Sequence, residues 1–187
     1  MSDADMTFVA RGDKDVWRSP GDLLAPILRH VDVHVDPCAG AGDYPTRLGS
    51  HKNIAPPRNG LAESWDVPGV SAVTAYVNPP FTQKAEWLAE AVERYERGEV
   101  ARVFVVTPDS TDVISWWHEY IADSFRWSWF PEGRVDYIDP DPEDGDTPEQ
   151  ANGVSFGTAV SVLGHIGPAL RRELAARGDL VRREVEP

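Results

Sequence analysis

Cysteine is almost absent from this chain. Cys38 is the only one in 187 residues, which excludes an internal disulfide and a cysteine-based zinc site. A lone thiol of this kind reads as a small buried residue rather than a nucleophile. Lysine is nearly missing too: Lys14, Lys52 and Lys84 stand against 15 arginines. No apolar run approaches the roughly 18 residues that a membrane helix needs. The start of the chain carries Asp3, Asp5, Asp13 and Asp15. It lacks the basic start and apolar stretch of a signal peptide, so a soluble cytoplasmic protein is expected. The histidines at 30, 34, 51, 118 and 165 show no metal-ligand spacing, so no metal site is expected.

What is present suits one domain. Hydrophobic residues make up 41% and aromatics 10%, with seven Trp, enough to build a core and to exclude global disorder. The net charge is −13, an unusual balance for a protein that meets phosphate. Either the charges are segregated, or the protein works in high salt, where an acidic surface keeps it soluble. The arginine bias and abundant Asp fit a halophile or a GC-rich genome.

The pattern alternates helices and strands. Residues 1–15 read as a flexible tail, 16–178 as a single domain and 179–187 as a C-terminal tail. Ser19 is the expected N-cap of a helix with Pro20 at its first position. Val31 to Asp36 alternates as a strand and runs into Pro37-Cys38-Ala39-Gly40-Ala41-Gly42. Residues 43–70 show little periodicity. A strand over Ala72–Val77 closes on Asn78-Pro79-Pro80-Phe81. A helix over Gln83–Arg97 follows, stopped by Gly98. Val100–Val106 is a buried strand, Thr111–Asp123 a helix, and Phe125–Phe130 and Val135–Ile138 are short strands. Residues 139–150 hold six acids and read as a solvated loop, since their spacing is not that of a calcium loop. Val154–Leu163 is a late strand and Pro168–Arg177 a terminal helix. This alternation predicts an α/β domain with a mostly parallel central sheet flanked by helices. Ligands in such sheets bind beyond the carboxyl ends of the strands, where both unusual turns fall.

Asn78-Pro79-Pro80-Phe81 is the sharpest signal. An exocyclic amine on an aromatic base is a weak nucleophile, because its lone pair is delocalised into the ring. Two acceptors for its protons favour a more pyramidal nitrogen. The Asn78 amide oxygen and the Pro79 carbonyl are candidates, held rigid by the prolines. Phe81 is suited to stacking on a base. The bland alternative is a proline-terminated strand. In the other turn, small residues after Asp36 let a backbone approach a ligand closely, and the Asp36 carboxylate suits the amino acid part of a cofactor. A tight turn without ligand is the alternative there.

Taken in order, these turns carry a family resemblance. Asp36 to Gly42 resembles the cofactor motif of amino-methyltransferases, and Asn78 to Phe81 their catalytic motif. The wider chain, from about residue 15 to 163, resembles the phage-type (Dam-like) DNA N-6-adenine methyltransferase family. Further matching stretches are Trp17-Arg18-Ser19-Pro20, Asn59-Gly60-Leu61 with Trp65, Pro108 to Trp117, and Gly133-Arg134-Val135-Asp136-Tyr137. Phe81 stands where many members carry Tyr, and Ser110 where many carry Arg.

The resemblance implies a Rossmann-like fold and S-adenosylmethionine as methyl donor. It implies that Asn78, Pro79, Pro80 and Phe81 act on the target amine. Asp36, Pro37, Cys38, Ala39 and Gly40 then line the cofactor site, joined by Trp17, Ser19 and Pro20. DNA is the implied partner, with the adenine flipped out of the stack, in a phage, prophage or restriction–modification setting. Arg47, Lys52, Arg58 and Arg134 are the candidate phosphate contacts. The basic stretch Arg171, Arg172, Arg177, Arg182 and Arg183 reads as a solvated helix rather than a DNA contact. Rival targets are cytosine N4, guanine in RNA and glutamine in protein. A rival class is a catalytically silent phage DNA-binding protein.

Overall fold

The computed structural model describes residues 15, 17–40, 48–139 and 156–185. Along the chain these form α1 (Gly21–Leu28), β1 (Val35–Asp36), β2 (Lys52–Asn53), β3 (Thr74–Val77), α2 (Lys84–Glu96) and β4 (Arg102–Pro108). A π-helical segment, Ile114–Ile121, then runs into the short helix α3 (Ala122–Ser124). The strands β5 (Trp127–Pro131) and β6 (Thr158–Gly164), the helix α4 (Pro168–Ala175) and the strand β7 (Gly178–Arg182) complete the fold.

The seven strands form one mixed sheet in the order β2-β1-β3-β4-β6-β5-β7. Its first four strands are mutually parallel. Beyond β4 every pairing is antiparallel. The expectation of a mostly parallel sheet holds for the half that carries both unusual turns. The other half departs from it because β6 runs reversed between β4 and β5, while the helical links from β4 to β5 and from β6 to β7 join strands of the same direction.

Alternation along β4 divides the core. Val103 and Val105 face a cluster with Trp65, Trp87, Leu88, Trp116, Trp117 and Phe125. Phe104 and Val106 face a second cluster with Leu23, Ile27, Tyr76, Trp129, Tyr137 and Leu170. Helix α2 and the π-helical segment thus cover one face of the sheet, and α1 with α4 cover the other. A central strand buried on both faces must be apolar throughout, which is why β4 reads as a continuous hydrophobic run. Each fully buried Val or Phe contributes about 1.5–3 kcal/mol.

Several expectations are corrected. Ser19 does not cap α1: Pro20 occupies the cap position without a side-chain bond, and the Ser19 hydroxyl is taken by Tyr76. The segment expected as a C-terminal tail contains β7, which pairs with β5 along its length. Val135–Ile138 is not a strand; it contributes one isolated bridge, Ile138 to Arg18, while Val135 and Tyr137 are buried as core. The helix expected from Thr111 is π-helical, with the His118 N–H reaching back five residues to the Val113 carbonyl at 3.3 Å. That wider turn brings the adjacent Trp116 and Trp117 both into the core. Gly98 ends α2 at φ 72°, a conformation that favours glycine.

Candidate functional site

Asn78 follows the last residue of β3, at the carboxyl end of the parallel strands. Its amide nitrogen donates to the Trp17 backbone carbonyl at 2.7 Å. Its Oδ1 is buried and, among the described residues, has no hydrogen-bond partner. Most buried polar side-chain atoms are satisfied, so an acceptor held this way marks a place where a donor is wanted. One strand over, at the end of β4, the Thr107 hydroxyl is also buried without a partner.

The residues after Asn78 are held from several sides. Pro79 is buried and Pro80 partly buried. The Lys84 ammonium, at the start of α2, donates to the Phe81 carbonyl at 2.7 Å and lies 5.4 Å over the Trp116 ring. The Thr82 N–H donates to the Asp15 carboxylate at 3.1 Å, and the Thr82 hydroxyl bonds the same group. Asp15, the last residue of the expected tail, is therefore tied to this turn. Phe81 meets Tyr137 edge-on at 5.9 Å and Phe156 at 5.3 Å. Tyr137 in turn stacks with Trp17 at 6.2 Å. An aromatic wall of four rings thus stands beside the Asn78 amide.

The second turn lies at the end of β1. Asp36 is buried, and its Oδ1 accepts the Cys38 N–H at 3.0 Å. Burial pushes its carboxyl up to about 7, against the opposing effects of the Cys38 N–H and the Arg18 guanidinium. Burial also pushes the Cys38 thiol up, helped by Asp36, so Cys38 is no activated nucleophile. A Cβ at Gly40 would lie 2.9 Å from the Arg18 guanidinium, the far end of a flexible side chain that can give way. Gly60 is required, since a Cβ there would meet the Pro37 carbonyl at 1.9 Å. Trp65 fixes this contact by donating from Nε1 to the Gly60 carbonyl at 2.7 Å.

The chain around Trp17 joins the two turns. Trp17 meets Asn78, Arg18 acts on Asp36, and the Ser19 hydroxyl accepts from Tyr76 at 2.8 Å. Arg18 also pairs through its backbone with Ile138, which brings Tyr137 to the site. Asp36, Pro37, Cys38, Ala39, Gly40, Trp17, Ser19, Pro20 and Asn78 to Phe81 therefore converge on the carboxyl ends of β1 and β3. Sequence reading assigned no role to Arg18, Tyr76, Lys84, Asp15 or Phe156. The one usable signal is that Arg18 sits inside the Trp17-Arg18-Ser19-Pro20 stretch.

The expected phosphate contacts separate differently. Arg47 lies outside the described residues, as do Ala41 and Gly42. The Lys52 ammonium donates to the Ser64 and Asp66 carbonyls at 2.7 and 3.0 Å. The Arg58 guanidinium is paired with Glu63. Both serve the segment that follows β2. Arg134 is exposed, just beyond the carboxyl end of β5. Among the described residues no cluster of three or more His, Cys, Asp or Glu is arranged to hold a metal, and no helix is long and apolar enough to cross a membrane. No protein-family model matches the chain, and a search of curated proteins finds no match.

Proposed function

We propose that this chain is an S-adenosylmethionine-dependent methyltransferase with a Rossmann-like fold, acting on the N6 amino group of adenine in DNA. The observation that carries the reading is the divided Asn78 side chain. Its nitrogen donates to Trp17 and its buried Oδ1 is unsatisfied among the described residues, so the side chain presents a fixed acceptor. An aromatic amine carries two protons to be accepted. The Pro79 carbonyl, in the stiff turn, is the second acceptor in this reading. Phe81, the partly buried ring beside Asn78, offers the stacking surface that a flipped base requires.

The residues of the β1 turn fit the cofactor. A buried carboxylate at Asp36 suits an α-ammonium, and Arg18 beside it suits an α-carboxylate. S-adenosylmethionine, when bound, supplies a methyl group on a positively charged sulfur. The chain's own work is positional. Asn78 orients the amine and raises the density on its nitrogen, Phe81 holds the ring, and the buried surroundings exclude water. The spare proton leaves to solvent after transfer.

The test is direct. The protein is incubated with S-adenosylmethionine and unmethylated duplex DNA, at low and at multimolar salt. Modified nucleosides are then quantified by mass spectrometry. N6-methyladenine that appears with the wild type and vanishes with Asn78→Ala supports the reading. No modified base at any salt overturns it.

A further inference from the structure

We propose that the outer edge of the sheet, around Arg126, Arg171, Arg182 and Arg183, holds the phosphate backbone of duplex DNA; this surface deepens the DNA reading above and rests on it. Arg171 from α4 lies 5.5 Å from the Trp127 ring centre, and Arg182 from β7 lies 5.9 Å from the same ring. Arg183 lies 5.3 Å over Trp117, on the other face of the sheet, and donates to the Ser128 hydroxyl at 2.8 Å. Arg126 is exposed, and its carbonyl accepts the Arg183 N–H at 2.7 Å. Arg171 and Arg182 thus flank one ring, and Arg126 and Arg183 pair through their backbones where β5 begins and β7 ends.

Their lack of carboxylate partners is the informative point. The chain has 31 acids against 18 bases, so a partner is easy to supply. Arg29, Arg58, Arg94, Arg97 and Arg177 each have one. Among the described residues, none of the four edge arginines enters an ion pair. Asp123 and Glu184 lie within three positions of the cluster in sequence, and neither closes one with it. Charge is therefore segregated toward this edge. Arg182, exposed and stacked on an indole, is positioned without losing its in-plane N–H groups, which suit phosphate oxygens.

The lateral distance is within the reach of a duplex. From β3, whose last residue precedes Asn78, to β7 is a path of four strand steps, or about 19 Å at ~4.8 Å per step. At ~3.4 Å rise per base pair, that spans about five to six pairs. In register, Arg182 stands level with Trp127, Val162, Phe104 and Tyr76, two residues before Asn78, so a duplex that meets both Asn78 and this edge crosses the sheet obliquely. Binding there supplies affinity without reading sequence.

The test measures affinity of the full chain for a labelled duplex of about 30 base pairs, without cofactor, between about 50 and 200 mM salt. The variants are Arg126→Gln/Arg182→Gln, the charge-conserving Arg126→Lys/Arg182→Lys, and Arg97→Gln as a control at a paired arginine. Each phosphate contact contributes about 0.9 to the log–log salt slope, so the Gln pair is expected to lower it by about 1.8. The Lys pair and Arg97→Gln are expected to keep the wild-type slope. An unchanged slope in the Gln pair, an equal loss in Arg97→Gln, or patch-dependent binding of RNA but not duplex DNA overturns the proposal. Methyl transfer is read separately. Patch-dependent binding without methylation sinks the enzymatic reading alone, and methylation without patch dependence sinks this surface alone.

Discussion

The Asn78 amide nitrogen donates to the Trp17 carbonyl at 2.7 Å, while its Oδ1 stays buried and unpaired. This bond selects the rotamer and assigns the two ends of the amide different tasks. Replacing Asn78 by Ala removes one hydrogen bond, worth about 1 kcal/mol, and also removes an orphaned acceptor, which itself costs about 1–3 kcal/mol. The two effects offset, so the melting temperature is expected to stay within a few degrees of wild type. Methyl transfer is expected to fall by about 10²–10³, the usual loss for one preorganised polar contact. Calorimetry beside a nucleoside assay checks both. A large loss of stability with the loss of activity contradicts this division of labour.

Asp36 makes stability depend on pH in an unusual direction for a carboxyl group. Burial holds its folded pKa near 7, above the ordinary 3.8. The folded chain therefore holds this proton more tightly than the unfolded chain does. The resulting stability is full below pH ~4 and is lost as pH rises through about 7. Asp36→Asn keeps an acceptor for the Cys38 N–H and removes that loss. About three units at ~1.4 kcal/mol each sets an upper scale of roughly 4 kcal/mol. Denaturant melts at pH 4 and pH 8 check this: the variant is expected to gain on wild type only at the higher pH. An equal difference at both pH values rules out the coupling.

The same carboxyl group governs cofactor affinity in the proposed function. An α-ammonium beside Asp36 requires the carboxylate form, so binding of S-adenosylmethionine must displace a proton below pH 7. Affinity is expected to rise between pH 6 and pH 7, by up to about tenfold, and then to level off. Titration calorimetry in buffers of different ionisation enthalpy reads the released proton. Asp36→Asn is expected to bind weakly and without that release. A flat pH profile in the wild type argues against Asp36 as the ammonium partner.

Much of this arrangement was legible in the sequence, for identifiable reasons. Long periodic segments such as Lys84–Glu96 and the apolar run at Val103–Val106 declare themselves, because their burial pattern is their sequence pattern. The two turns declare themselves through residues that are costly without a purpose. The antiparallel half was hidden, since strand direction depends on how connections pack rather than on local spacing. β7 was hidden as well: Asp179, Arg182 and Arg183 gave it the look of a solvated end, yet the edge strand buries only part of one face. The Trp17–Asn78 and Arg18–Asp36 relationships join residues far apart in sequence, and no pattern within a window reveals such pairs. The fates of Lys52 and Arg58 were equally non-local, set by the Ser64 and Asp66 carbonyls and by Glu63.

Gly60 links the segment after β2 to the cofactor turn. A methyl group there lies 1.9 Å from the Pro37 carbonyl and 2.9 Å from the Trp87 ring. Neither neighbour is a flexible side-chain end, so Gly60→Ala must displace the turn. A loss of about 1–3 kcal/mol is expected, in the range of overpacked cores. Weaker S-adenosylmethionine binding is expected beside it, because Pro37 follows Asp36 directly. Thermal melts and equilibrium binding check the pair of effects. A stable variant with normal binding shows that the contact can relax.

Phe81 separates stacking from the geometry of the catalytic turn. Its backbone carbonyl is held by Lys84, and that bond does not depend on the side chain. The ring stands edge-on to Tyr137 and Phe156 and is only partly buried. Phe81→Ala removes the stacking surface while leaving the turn anchored, so weaker use of the base is expected. At about 1–3 kcal/mol per stacked base, the loss is roughly 5- to 150-fold in kcat/KM toward DNA. Phe81→Tyr retains the ring and is expected to stay near wild type. Phe81→Leu retains apolar bulk without a π-face, so it falls between them. The series is read by steady-state methylation of a fixed duplex at saturating cofactor. If Leu matches Phe, packing against Tyr137 and Phe156 is the role of this residue, and stacking on the base is not.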